Sequence, residues 1–166
     1  MNMIEESSKH LNIVKSLIGE TLSSLSNSQY FFNGEKDDED LGDLEVIVSS
    51  GLKVCFKLLS DGESVGAYEG DLKVPNSFEV AEGEQVLWEK NEIKQGSEIV
   101  GTRIVAIDAM YDSDHKINSK VLAGWQVKLS SGDYFVFYNS GDNACFLFNE
   151  LPNDATSDIE TTWKPI

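Results

Sequence analysis

Between residues 121 and 150 the hydrophobic and polar positions fall in the pattern that three short strands joined by tight turns would produce. Trp125, Val127 and Leu129 alternate with Gln126 and Lys128, a period of two that buries one face of a strand and leaves the other in water. Residues 134–138 and 144–148 are apolar or aromatic at every position, so both read as central strands with two covered faces. Ser130, Ser131, Gly132 and Asp133 supply one turn, and residues 139–143, with Asn139, Gly141 and Asp142, supply the other. The stretch is predicted to be a three-stranded meander.

Elsewhere the pattern changes once. From residue 3 to residue 25, Ile4, Leu11, Ile18 and Leu25 recur every seven positions, with Val14, Leu17 and Leu22 on the same stripe, which predicts an amphipathic helix with one face for a sheet to bury. The Ser-rich residues 23–29 end it, before the aromatic trio Tyr30, Phe31 and Phe32. Residues 44–48 and 52–59 flank Ser49, Ser50 and Gly51 as a predicted hairpin, in which Val54, Phe56 and Leu58 alternate with Lys53, Cys55 and Lys57. Short strands are expected near residues 65–68, 72–74, 78–81 and 85–89, with Pro75 marking an edge or a loop, and residues 89–96 read as polar loop. Residues 98–112 form the longest β-branched run and read as one strand bent at Gly101, whose alternation places Arg103 and Asp108 on opposite faces.

These elements predict an α+β fold, an N-terminal amphipathic helix packed on a mainly antiparallel, strongly curved β-sheet or β-sandwich. One domain spans residues 1–166, divided into a helix at 1–27, an acidic loop at 33–43, a β-sheet body at 44–150 and a polar C-terminal tail at 151–166 in which Trp163 reads as an anchor.

Charge narrows the choice of partner. The 166 residues carry 29 acidic and 13 basic side chains, a formal net charge of -16. Such a surface repels phosphate backbones and anionic headgroups, which excludes nucleic acid and membrane surfaces as favoured partners, and it attracts and steers a basic protein. The densest charge lies in residues 33–43, where Glu35, Asp37, Asp38, Glu39, Asp40 and Asp43 are opposed by Lys36 alone. A solvated loop, a contact for a basic partner and a cation site are the three readings of that run; the spacing is not that of a calcium loop. The N-terminus is acidic where a secretion signal would be basic, and no apolar run approaches a membrane span, so the expected compartment is the cytoplasm. Cys55 and Cys145 match no metal spacing and read as buried thiols, with a disulfide as the other possibility.

Signatures of catalysis are missing. Neither His10 nor His115 stands beside a nucleophile, and there is no strained serine elbow, phosphate-cradling loop or zinc-protease helix. Asp112, Asp114, His115 and Asn118 are the one set whose donor types suit a metal, though such spacing is common in hairpin loops. The sequence therefore predicts a non-enzyme without cofactor or metal, binding a protein through Glu35, Asp37, Asp38, Glu39, Asp40 and Asp43, with Asp112 and Asp114 as a second acidic contact.

The amphipathic N-terminus, the acidic run and the meander GWQVKLSSGDYFVFYNSGD at residues 124–142 resemble the small immunity proteins of bacterial contact-dependent growth inhibition and related polymorphic toxin systems. The resemblance implies a cytoplasmic protein that binds the C-terminal domain of a toxin, often a basic nuclease, and covers its active site or substrate groove. Members differ widely in fold and contact surface, so it assigns no residue. Read from the residues alone, the alternative is a small-molecule or lipid carrier, β-barrel-like, with Phe135, Phe137, Phe146 and Phe148 around a pocket.

Overall fold

Most of the runs of alternating and continuous apolar residues become strands, but the strand expected at 72–74 does not form, the amide of Leu72 being taken by the Glu45 carboxylate rather than by a neighbouring strand. The order of the chain is α1 (Met3–Lys15), β1 (Leu22–Phe32), β2 (Glu35–Lys36), β3 (Leu44–Val48), β4 (Lys53–Leu58), β5 (Val65–Glu69), β6 (Phe78–Ala81), β7 (Glu84–Glu92), α2 (Gly96–Ile99), β8 (Ile104–Asp114), β9 (Ser119–Leu129), β10 (Tyr134–Ser140), β11 (Asn143–Phe148) and β12 (Ile159–Pro165). The structure is a computed structural model that describes residues 3–153 and 158–166, without the side chains of residues 3–6 and Val80. Every strand pairing in it is antiparallel.

Two sheets result. The first runs β5-β4-β3-β1-β7-β6, with β2 paired to the end of β1, and the second runs β11-β10-β9-β8-β12. The meander forms, Phe137 lying opposite Trp125 on one side and Phe146 on the other, but only β10 is a central strand. β11 is the edge of its sheet and most of its residues are half-buried, which corrects its reading as a strand with two covered faces, since an unbroken apolar run does not record whether a further strand pairs beside it. In β9 the face read as wet is covered at Gln126, which is buried. Neither sheet closes or curls strongly, which corrects the expected strong curvature. Concavity is unnecessary because each sheet has a second sheet to cover it, and one apolar core fills the space between them. Phe56 of the first sheet lies 6.1 Å from Trp125 and 5.8 Å from Phe137 of the second, ring centre to ring centre, and all three are 0% exposed.

The helix is shorter than the heptad spacing predicts. It stops at Lys15, a turn follows, Gly19 adopts a φ of 90°, and Leu22 and Leu25 belong to β1. Both leucines still face the core although they stand three apart in a strand of period two, because a register shift between Leu22 and Ser24 absorbs the extra residue opposite Val48 and Val46. The heptad therefore mixed two elements whose apolar residues share one core. Val14 and Leu17 are fully buried, and α1 packs chiefly on β5. The side chain of Ile4 lies outside the described set.

Three further expectations change. Residues 98–112 are not one strand: α2 buries Ile99, Gly101 turns with a φ of 90°, and β8 begins at Ile104. Backbone bonds from Gly101 to Leu22 and from Leu22 to Thr102 tie this turn to the start of β1, so the segment serves as the passage from one sheet to the other. The polar run at 89–96 extends β7 to Glu92, paired with β1. The tail is likewise a strand, β12 pairing with β8 and placing Trp163 beside Met110; its residues 154–157 lie outside the described set. Arg103 and Asp108 do not pair; Asp108 meets Lys128 of the adjacent strand at 2.8 Å.

Gly124 has no Cβ for a steric reason. A methyl there would come within 2.7 Å of the Phe137 carbonyl oxygen and of Tyr138 Cβ, and 3.1 Å from Met110 Sδ. Gly124→Ala is expected to cost about 1–3 kcal/mol and Phe56→Ala about 3–5 kcal/mol in urea unfolding, while Ile117→Ala, at a side chain 70% exposed, stays within about 0.5 kcal/mol.

Candidate functional site

The acidic run does not float free of the body. Asn27 and Gln29 alternate on the core-facing side of β1, beyond the point where apolar residues line that face, and are 0% and 2% exposed. A buried amide without partners would cost several kcal/mol, so each must find them. Asn27 donates to the Leu41 carbonyl at 2.7 Å and accepts from Asn91 of β7 at 2.9 Å, while Gln29 donates to the Asp37 carbonyl at 2.7 Å. Two backbone carbonyls of the loop are thus held by buried side chains.

Further bonds complete the anchorage. Asp37 N–H donates to the Tyr30 carbonyl, Asp37 Oδ1 accepts from the amide of Glu39, and Asp40 Oδ1 accepts from the amide of Gly42. At the far end Leu41 N–H donates to the Ala144 carbonyl at 2.8 Å, and Ala144 N–H donates to Asp40 Oδ1 at 3.3 Å. The loop leaves the first sheet at β1 and lands on β11 of the second.

Beneath this bridge lies an open cleft of about 640 Å³, bounded by the loop, by β11 from Ala144 to Leu147 and by the end of β7. Five carboxylates, Asp37, Asp38, Glu39, Asp40 and Glu92, line it against two lysines, Lys36 and Lys94. Glu35 is exposed on β2 beside it. Among the described residues no group of His, Cys, Asp and Glu is arranged to hold a metal ion.

Asp43 belongs elsewhere. It accepts from Tyr68 Oη at 3.0 Å on the far face of the first sheet, and burial pushes its carboxyl above the ordinary range, against the opposing pull of the Tyr68 hydrogen bond and of Lys57. Next to it burial pushes the Cys55 thiol up to about 12 and raises the Tyr68 phenol. Glu45, 1% exposed, accepts from the amide of Leu72 at 2.8 Å and pairs with Lys90 at 2.8 Å, so the 70–77 connection is strapped across this face. Cys55 in β4 and Cys145 in β11 are not joined by a disulfide.

Asp112 and Asp114 are separate again. They line a smaller depression of about 190 Å³ with Glu63 and Ile117, Asp112 accepting from the Thr161 hydroxyl and Asp114 from the amide of Lys116. His115 pairs with Glu160 at 3.0 Å and does not converge with them on a common point. The structure therefore brings Asp37, Asp38, Glu39 and Asp40 together, leaves Glu35 at their margin, and sends Asp43 and the pair Asp112 and Asp114 to other places.

Two features escaped the sequence. One is the amide ladder of Asn27, Gln29 and Asn91, whose only signal was alternation of amides inside a stretch read as a Ser-rich helix end. The other is an aromatic patch on the outer face of the first sheet, where Tyr30 meets Trp88 edge to face at 4.9 Å and Phe32 and Phe78, 40% and 57% exposed, flank Val86.

Compared with family models, curated proteins and solved structures, the chain finds no match.

Two outcomes test this geometry. Gln29→Ala leaves the Asp37 carbonyl without its buried donor, so it is expected to cost about 1–3 kcal/mol and to speed amide exchange across residues 37–41. Asp43, whose folded carboxyl holds its proton more tightly than in the unfolded chain, favours folding most at low pH, and that contribution fades as pH rises through its raised folded value. Asp43→Asn should accordingly improve in stability relative to the parent between pH 4 and pH 7; an unchanged difference would contradict the burial of a charged carboxylate.

Proposed function

We propose that this protein is a non-catalytic binding protein that neutralises a basic protein, in the manner of the bacterial immunity proteins its layout resembles, by covering the active site or substrate groove of a nuclease-type toxin domain. The scaffold is an α+β sandwich, the compartment the cytoplasm, and neither cofactor nor metal takes part. The observation that carries the proposal is the rigid attachment of Asp37, Asp38, Glu39 and Asp40 along one side of an open cleft, in a chain of net charge -16. Carboxylates carried on an anchored backbone need no loop ordering on binding and compete well for a groove built for phosphates. Asp112 and Asp114 face a different depression and are assigned no more than a peripheral role in steering.

The carrier alternative has less support. The rings that would line its pocket pack on one another instead, Phe135 stacking on Phe146 at 5.5 Å and Phe137 lying against Phe56, with Phe135 and Phe137 fully buried. As for membranes, no helix among the described residues is long and apolar enough to cross one.

The experiment is calorimetric titration of the full chain with a basic nuclease-type toxin domain. Binding should weaken about tenfold between 50 and 200 mM salt, and again by several-fold in the double variant Asp38→Asn, Glu39→Gln, whose side chains are exposed and whose loss leaves the fold intact. Affinity indifferent to both salt and the double variant would end the proposal.

A further inference from the structure

We propose that the outer edge of β11 accepts an extended, lysine- or arginine-bearing segment of another protein as an additional strand, seated in the cleft under the acidic loop. This rests on the reading of the protein as a binder of a basic partner and names the surface that does the binding.

The edge is identified by its hydrogen bonds. Ala144 directs both its N–H and its carbonyl away from β10, since they are taken by Asp40 Oδ1 and Leu41 N–H. In an antiparallel ladder that direction repeats every second residue, so the N–H and carbonyl of Phe146 and Phe148 point the same way. Among the described residues β11 is the last strand of its sheet, and the loop has already departed by the time Phe146 is reached. Asp40 and Leu41 thus supply the beginning of a neighbouring strand, and the cleft continues where the next residues of such a strand would lie.

Among the described residues the strands that end the two sheets elsewhere, β5, β6 and β12, are blunted, and β2, paired to the end of β1, is two residues long. At β5, His10 Nδ1 lies 3.0 Å from the Ala67 nitrogen and 3.1 Å from its oxygen; β6 has four residues and a register shift against β7; β12 carries Glu160, Lys164 and Pro165. The β11 sequence, NACFLF, has no charge, no proline and no register shift, which is an edge open to pairing.

Charge selects the occupant. A strand beside Phe146 would pass along Asp37, Asp38 and Glu39, so alternate side chains on it would meet carboxylates if they were Lys or Arg. A second copy of this chain would instead oppose one acidic wall to another, with a net charge of -16 on each molecule.

The test uses the full chain and two capped octapeptides, one alternating Lys with Val and one alternating Glu with Val, and reads amide exchange residue by residue. The lysine peptide should slow exchange at Phe146 and Phe148 by about tenfold or more, the glutamate peptide should not, and Asp38→Asn with Glu39→Gln should weaken the effect several-fold. A lysine peptide methylated on every second backbone nitrogen keeps its charge and loses its donors, so it should give no protection. Equal binding of the methylated peptide would overturn strand pairing, as would protection of Phe146 and Phe148 through self-association without any peptide. Protection by a basic toxin domain at Phe32, Phe78 and Trp88 in place of β11 would also overturn it while leaving the basic-partner reading intact. Equal binding of the lysine and glutamate peptides would remove the charge basis of both.

Discussion

The arrangement of the acidic face depends on two buried side-chain amides that cannot be left unpaired. Asn27 and Gln29 occupy core-facing positions of β1 at 0% and 2% exposure, and the groups that satisfy them are carbonyls of Leu41 and Asp37 together with the amide of Asn91. Burying an amide without a partner costs more than a single surface contact returns, so the loop conformation that satisfies both is strongly favoured over any that satisfies neither. A segment rich in like charges would ordinarily extend into solvent. Here the repulsion among the carboxylates is outweighed because the backbone beneath them completes the interior of the sheet.

The same run of sequence yields carboxylates with different surroundings. Asp38 and Glu39 stay exposed at the cleft, Asp40 bonds the backbone of β11, and Asp43, a few residues further on, is pulled under the opposite face beside Tyr68 and Cys55. The loop crosses from one face to the other at Gly42, whose φ of 73° and close approach to Ser28, with an added Cβ falling 2.2 Å from the Ser28 carbonyl oxygen, leave room for no side chain. Past it the chain enters β3, where Glu45 is buried on the strapped face by Leu72 and Lys90. Charge density in a sequence therefore does not translate into charge density at one surface.

Two sheets that are open in isolation share one core, and the chain passes between them at the turn around Gly101 and is bridged again by the loop that lands on Ala144. The sandwich leaves the side between β7 and β11 unfilled, and the cleft is that unfilled side. Its walls are the polar end of the core face of one sheet and the edge of the other. A site of this kind requires no specialised element, only sheets whose edges do not coincide.

The sequence alone determined the meander of β9 to β11, the hairpin of β3 and β4, the antiparallel character of the body and the excess of negative charge, because strand periodicity, turn residues and ionisable groups are local properties. It misplaced Leu22 and Leu25, since residues of a helix and of a bulged strand that face the same core can imitate a single heptad stripe. It could not show that Asn27 and Gln29 hold the acidic loop, that Asp43 leaves its neighbours, or that β12 completes a sheet, because each depends on a partner distant along the chain: Leu41, Tyr68 and β8. Only the tertiary structure decided which carboxylates share a cleft, since that follows from where two sheets stop overlapping, and no spacing within a strand records it.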